Sequence, residues 1–239
     1  AEPWQEIDRA QTDHGTMTLL RRGESELVIK MDNYVLMSSR HHRSEAELGT
    51  HACRALDEKP SPRVLVAGLG MGFTLRAALD ALPASAGVTV AELEPAVVRW
   101  CRGPLRELTG AAVDDPRVDV RIADVADVIS TAAAGAWDAI VLDVFQGTHD
   151  ANDDPSHPVY GRAALERTRT ALADAGVLAV WTEEPDVLFE KRLGSVGFVV
   201  ERRRSGKGGP RYVVYVARKR EPNRRQRAGL PEGRGRSRG

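Results

Sequence analysis

The sequence predicts an α/β protein: a mostly parallel sheet of about seven strands with helices on both faces, behind a small N-terminal antiparallel β-subdomain. Three observations carry this expectation. From Arg63 onward, short apolar runs rich in Val, Ala and Ile alternate with amphipathic segments. Strands covered on both faces by crossover helices read as continuous apolar runs in this way. The first of these runs leads straight into closely spaced glycines, the mark of a tight strand-to-helix turn. The residues before Arg63 lack that alternation and offer strand-like runs separated by turns.

Those early runs are GTMTLLRR, SELVIKM and YVLMSS, with turn signals at Arg22–Glu24 and Asp32–Asn33. SEAELGTHACRAL then reads as a helix opening at Ser44, with Glu47 at the capping-box spacing. The strand RVLVAGLG precedes the helix FTLRAALDAL, and GVTVAEL precedes PAVVRWCRGPL. RVDVRIAD with VADVISTAA follows, and then WDAIVLD with a long loop that leads into the helical GRAALERTRTALA. GVLAVWT and the helical DVLFEKRLGSV come next. FVVERRR and RYVVYVARK, split by the Gly-rich SGKGGP, suit an antiparallel hairpin at the sheet edge. The predicted division is a β-subdomain over 1–43, a Rossmann-like domain over 44–218 and a basic tail over 219–239.

With 239 residues, 42% of them hydrophobic and 28% charged, the chain can build one large α/β core. No apolar run approaches the roughly 18 residues of a membrane span, and the polar, acidic start AEPWQEIDRA is unlike a secretory signal. Cys53 and Cys101 form neither a disulfide framework nor a metal spacing. They read as buried thiols of a reducing, cytoplasmic protein. The net charge of zero hides a division: from Lys219 onward there are eight Lys/Arg and two acids, so the body before it is acidic. That tail, rich in Arg, Gly and Pro, is expected to be disordered and solubilising. No basic, aromatic-interleaved face accompanies it in the body, which speaks against a nucleic-acid arm.

The sharpest chemical signal is Gly68-Leu69-Gly70-Met71-Gly72, between the first long strand and its helix. Such a turn needs backbone conformations, and approaches to a ligand, that a Cβ would block. Glu92 ends the next strand, where a carboxylate can accept hydrogen bonds from ribose hydroxyls. Asp124, beside Val125, ends the third strand, where it can accept from an adenine amino group. Asp143 ends the fourth, at the crevice outside the carboxyl ends of the strands. Any one of these acids alone reads better as a strand-end cap or a solvated loop residue. Four successive strand ends, each with a suitable group, read as a nucleoside site. A dinucleotide site would have a third glycine at the position of Phe73, and no later segment marks a nicotinamide pocket.

The segments MDNYVLMSSRHHRSEAEL, VLVAGLGMGFTLRAALD, VTVAELEPAVV, DDPRVDVRIADVADVI and WDAIVLDV resemble the spermidine synthase-like family, over roughly residues 25–218. That family joins a small N-terminal sheet to a methyltransferase-type Rossmann domain. The resemblance implies an S-adenosylmethionine or decarboxylated S-adenosylmethionine cofactor, a small-molecule substrate and a homodimer. It places Gly68, Gly70 and Gly72 in the family's glycine loop, Glu92 at the ribose and Asp124 with Val125 at the adenine. Asp143 becomes the first acid of a D-x-x-D segment, where it helps deprotonate and position an attacking amine.

Three departures from the family pattern fall on the substrate side. Aminopropyltransferases carry an Asp in the glycine loop where this chain has Met71. That Asp attracts the ammonium of the decarboxylated cofactor and would repel the carboxylate of the ordinary one. The second acid of D-x-x-D is Gln146. A Tyr-His-Glu segment is represented by Arg43-Ser44-Glu45, of which only Glu45 matches. The nucleoside-binding groups are all present, so the expected change is in the transferred group. Methyl transfer is the favoured reaction, aminopropyl transfer to an amine the alternative, and a non-catalytic nucleoside-binding module a third reading.

His149, Asp150, Asp153, Asp154 and His157 crowd the loop after Asp143. Pro155 and Pro158 make it irregular, so a substrate-gating lid is expected before a metal site, with Tyr160 at its base in reach of a ligand. In Arg40-His41-His42-Arg43, His41 reads as a solvated turn residue, while His42 or Arg43 could face the cleft and hold a carboxylate. Trp181, before Glu183 and Glu184, reads as a core residue first and a cation-binding ring second.

Overall fold

A computed structural model describes residues 2–144, 147–204 and 212–220. Four antiparallel strands come first, β1 (Gln5–Thr12), β2 (Gly15–Arg22), β3 (Glu26–Met31) and β4 (Tyr34–Ser38), paired in that order as a meander. The remaining elements are α1 (Arg43–Arg54), β5 (Arg63–Ala67), α2 (Phe73–Ala81), β6 (Gly87–Glu92), α3 (Pro95–Arg102), β7 (Val118–Ile122), α4 (Val125–Ser130) and β8 (Trp137–Leu142). A short helix α5 (Asp150–Asp153), then α6 (Arg162–Ala171), β9 (Leu172–Thr182), α7 (Val187–Ser195), β10 (Phe198–Arg204) and β11 (Val213–Lys219) complete the chain. Two short 3₁₀ turns lie between α3 and β7.

The second sheet has seven strands in the order β10-β11-β9-β8-β5-β6-β7. Strands β5 to β9 are parallel, and β11 and β10 add an antiparallel edge. This is the expected α/β architecture, with strand order reversing between β5 and β8. A crevice opens outside the carboxyl ends of the strands at such a reversal.

Side chains alternate between the two faces of the sheet. Val64, Val66, Val88, Val90, Ala139, Val141, Val177 and Ala179 face one cluster, with Leu48 of α1, Leu75 of α2 and Trp100 of α3. Leu65, Ala67, Ile140, Leu142, Leu178 and Val180 face the other, with Leu165 of α6 and Phe189 of α7. Met17, Leu19, Leu27 and Ile29 of the small sheet belong to the first cluster, so the small sheet shares the core formed around α1–α3. Among the described residues, no helix is long and apolar enough to cross a membrane.

Four local expectations are corrected. Strand β1, QEIDRAQT, has too few apolar residues to read as a strand; pairing with β2 and the contacts of Ile7 and Ala10 with the core hold it. Helix α1 opens at Arg43, and Ser44 does not cap it: its hydroxyl donates to Glu45 Oε2 at 2.5 Å. Glu47 is drawn away from any capping box by Arg43 (3.0 Å) and the Tyr212 hydroxyl (2.7 Å). Strand β9 begins at Leu172, well before GVLAVWT, with a left-handed residue at Ala175 and a register shift opposite Trp137 and Ala139. The tail from 221 lies outside the described residues.

Candidate functional site

The alternation that sends Val66, Val90, Val141 and Ala179 to the α1–α3 face sends Gly68, Glu92, Asp143 and Trp181, two residues further on, to the same side of the crevice. Gly68, Gly70 and Gly72 all have positive φ, at 87°, 53° and 87°. A Cβ on Gly68 would lie 2.1 Å from the Asp143 carbonyl oxygen, so this glycine allows the loop to close against the end of β8. The loop is also tied to its neighbours: Gly68 N–H donates to Ala91 O of β6 at 2.8 Å, and the buried Cys101 thiol of α3 donates to Gly70 O at 3.2 Å.

Glu92 is 8% exposed and braces the loop. Its Oε2 accepts from Leu69 N–H and its Oε1 from Glu94 N–H, both at 2.8 Å. Burial holds its pKa above the ordinary carboxylate value against these bonds. Each oxygen keeps a free lone pair, so the residue fits a diol donor as well as the loop. Leu93, directly after it, is 48% exposed and offers apolar surface next to the acid. Leu93 is not among the residues expected at the site from sequence; its signal is an apolar residue directly after a strand-end acid.

Asp124 is exposed and caps α4, its Oδ1 accepting from Ala126 N–H at 2.8 Å. Its Oδ2 takes no part in that cap. Val125 is buried and opens the helix, where backbone N–H groups have no partner within the helix.

Asp143 is half-buried one residue beyond β8. Burial, with the negative charges of Glu45 and Glu92, pushes its pKa up to about 7, although Thr74 Oγ1–H donates to its Oδ2 at 2.6 Å. Glu45, half-buried in the first turn of α1, therefore stands over the same crevice. A carboxyl poised near neutrality between two acids can accept a proton from a cationic acceptor.

The chain is 32% identical over 128 residues to a polyamine aminopropyltransferase of Mycobacterium tuberculosis, covering 51% of this chain and 23% of that protein. It is also 32% identical over 128 residues to putrescine N-methyltransferase 4 of Nicotiana tabacum, covering 52% and 31%. Polyamine aminopropyltransferase 1 of Hyperthermus butylicus is 32% identical over 157 residues, covering 59% and 49%. The crystal structure of spermidine synthase from Thermotoga maritima superposes with a TM-score of 0.71 at 22% identity, over 90% of this chain and 72% of that one. The chain thus shares the fold of spermidine synthase and, over about half its length, resembles aminopropyltransferases and putrescine N-methyltransferases in sequence. No protein-family model matches it, and it spans less than half the length of these three sequence relatives.

The three departures from the family pattern have distinct places in the structure. Met71 is 3% exposed and packs into the first core cluster, so the loop presents no acid there. Gln146 lies outside the described residues. Arg43 pairs along its own helix with Glu47 at 3.0 Å. His42 stacks on Phe73, with centroids 4.1 Å apart, and its Nδ1 lies 2.9 Å from Ser39 O.

Tyr160 lies in the loop after Asp143, whose charge acts on its hydroxyl. It is 1% exposed and packs between His157 and Phe189, because the loop folds down over the second core cluster. Arg192 of α7 holds that loop through Ala151 O, Asn152 Oδ1 and Tyr160 O, and buried Asp186 holds it through the Thr148 hydroxyl. His157 Nδ1 accepts from Val159 and Tyr160 N–H, and Asp154 from Ser156, which accounts for two of the crowded loop residues. Among the described residues, no three His, Cys, Asp or Glu side chains converge to hold a metal. Trp181 packs at the edge of the first cluster, with its indole nitrogen buried and unpartnered among the described residues.

Proposed function

We propose that this chain is an S-adenosylmethionine-dependent transferase that methylates a small, polyamine-type amine. The observation that carries the reading is Asp143: a carboxyl held near neutral pKa, against the glycine loop, in a crevice shared with Glu45. The named activities of the relatives, aminopropyl transfer and putrescine N-methylation, support the same class of acceptor.

The groups present fit the cofactor. Glu92 has lone pairs for the ribose hydroxyls, exposed Leu93 offers apolar surface for a base, and Asp124 with Val125 follows the end of the next strand. When bound, the cofactor supplies an electrophilic carbon on a sulfonium. The chain's part is positioning and proton handling: Glu45 and Asp143 attract and orient the cationic acceptor, and Asp143 takes the proton that the attacking nitrogen must shed. Met71 supports methyl rather than aminopropyl transfer, because the loop has no acid to select an ammonium or repel a carboxylate.

Calorimetric titration with S-adenosylmethionine and with its decarboxylated form tests this. The carboxylated form is expected to bind at least equally well. A tenfold preference for the decarboxylated form, about 1.4 kcal/mol, would replace methyl transfer by aminopropyl transfer. Binding of either without turnover of a radiolabelled cofactor, across a panel of diamines and polyamines, would leave a nucleoside-binding module whose partner contacts include the basic tail.

A further inference from the structure

Thr74 is fully buried at the start of α2, and its hydroxyl stands between two acceptors on different elements. Asp143 Oδ2 is 2.6 Å away and the backbone carbonyl oxygen of Glu45, in α1, is 3.2 Å away. A hydroxyl has one proton and two lone pairs, so it can donate to only one of these at a time.

The two helices come this close because of Gly49. A Cβ there would lie 2.4 Å from the Thr74 carbonyl oxygen and 3.0 Å from Ala78 N. The gap at Gly49 thus sets the distance at which the Thr74 side chain spans from α2 to α1.

We infer that Thr74 is the positioning residue that makes Asp143 usable as a proton acceptor, by turning its hydroxyl proton between Asp143 and the Glu45 carbonyl. While Asp143 is a carboxylate, Thr74 donates to it. When Asp143 accepts a proton from the acceptor nitrogen, its new O–H donates to Thr74 Oγ1, and the Thr74 proton swings to the Glu45 carbonyl. One proton has moved from nitrogen to Asp143; Thr74 keeps its own and only rotates it. The buried hydroxyl donates a hydrogen bond in both states, avoiding the penalty that an orphaned buried polar group carries.

The charged groups acting on Asp143 are Glu45 on α1 and Glu92 at the end of β6, and both oppose its ionisation. Tyr160, in the loop over the second cluster, feels the Asp143 charge in turn. Thr74 is the group whose contact favours the carboxylate, so its loss moves the titration in one direction only.

The inference rests on the reading of Asp143 as the proton acceptor, and the test separates the two. The Asp143 carboxyl is titrated by carbon-13 NMR in the full chain labelled at aspartate, its signal assigned by its disappearance in Asp143→Asn. Thr74→Val, nearly equal in shape, is expected to raise the Asp143 midpoint by about one pH unit or more, the loss of one charge-assisted hydrogen bond. Thr74→Ser is expected to restore it, which excludes an effect of the missing methyl group. If Thr74→Val does not fold, Thr74→Ala against Thr74→Ser makes the same comparison. An unmoved midpoint in a folded variant lacking the hydroxyl overturns the inference. Where the midpoint moves, the acidic limb of the kcat/KM profile for amine methylation should move with it. A moved midpoint without any methyl transfer would leave Thr74 in place and count against the proposed function instead.

Discussion

Leu69 N–H and Glu92 Oε2 meet at 2.8 Å, so the carboxylate proposed to hold the ribose is also the brace of the glycine loop. This double duty changes what a substitution reports. Glu92→Ala removes the acceptor for Leu69 and for Glu94 together, and would disturb the loop whether or not a ligand binds there. Glu92→Gln keeps the volume, but its amide oxygen can serve only one of the two N–H groups and sets its own NH₂ against the other. A stability loss of about 1–3 kcal/mol is expected from that clash of donors, read by urea unfolding. Affinity for S-adenosylmethionine should fall by at least about tenfold in the folded Gln variant, since a charge-assisted bond is lost. A folded variant with unchanged affinity would confine Glu92 to bracing the loop.

Asp143 offers a test in pH. Its folded pKa of about 7 lies above the ordinary 3.8, because burial and its acidic neighbours penalise the charge. Between those values the folded chain holds a proton that the unfolded chain has released. The neutral group's contribution is thus complete below about 4 and is lost as pH rises through about 7. Asp143→Asn cannot ionise, so it should be more stable than the parent at pH 8, on the order of 1–3 kcal/mol, with no such gap at pH 4. Its turnover should fall by about 10²–10⁴ with cofactor affinity little changed, and the parent's rate should climb with pH through about 7. Cofactor affinity falling in step with turnover would move Asp143 into the nucleoside site.

The order of elements was legible because the parallel strands are uniform apolar runs and each crossover helix is amphipathic. The strand-end positions of Glu92, Asp124 and Asp143 followed from that order alone. The sequence did not reveal what depends on two segments meeting. Thr74 and Glu45 are 29 residues apart, and their contact exists because α1 and α2 touch. Strand β1 has a polar sequence and gains its place from a partner strand and from Asp8, whose contacts lie 91 and 92 residues away. The burial of Tyr160 has a related origin: Arg192 and Asp186 of the α7 region fold its loop inward, and nothing near Tyr160 in sequence says so. Gly49, alone in a helical pattern, was a readable signal of close packing.

That glycine supports a prediction against helix propensity. On an exposed face, Gly→Ala in mid-helix gains about 1 kcal/mol. At Gly49 the new methyl would meet the Thr74 carbonyl oxygen at 2.4 Å, and that atom belongs to the backbone of another helix. Gly49→Ala should therefore lower stability, by about 1–3 kcal/mol for overpacking. It should also loosen α1 enough to weaken the Thr74–Glu45 contact. Chemical unfolding and amide exchange of α1 would read both effects. A variant as stable as the parent would mean that the two helices separate at little cost, and that their spacing at Thr74 is soft.

Asp8 lies at the bulge of β1 and joins the small sheet to α3. Its Oδ2 accepts from Arg99 Nη2 and from the indole nitrogen of Trp100, each at 2.7 Å, and Trp100 is buried at 1% exposure. The Arg99 and Trp100 hydrogen bonds lower its pKa to about 2, from the ordinary 3.8. With the folded value depressed, the carboxylate's contribution is present above about 4 and is lost as pH falls through about 2. Two variants divide the contact into parts. Asp8→Asn keeps an oxygen for the indole and loses the charge opposite Arg99. A partly exposed ion pair is worth little, so the cost at pH 7 should be about 0.5–1 kcal/mol, smaller in high salt. Asp8→Ala leaves the buried Trp100 N–H without its acceptor and should cost about 1–3 kcal/mol, with little salt dependence. The gap between the parent and Asp8→Asn should narrow as pH drops from 4 toward 2, while the penalty for the bare indole in Asp8→Ala should persist further down. Urea unfolding at pH 7, 4 and 3, at low and high salt, measures all of these. Equal, salt-sensitive losses in the two variants would show that the Arg99 pair, and not the Trp100 bond, fastens β1 to α3.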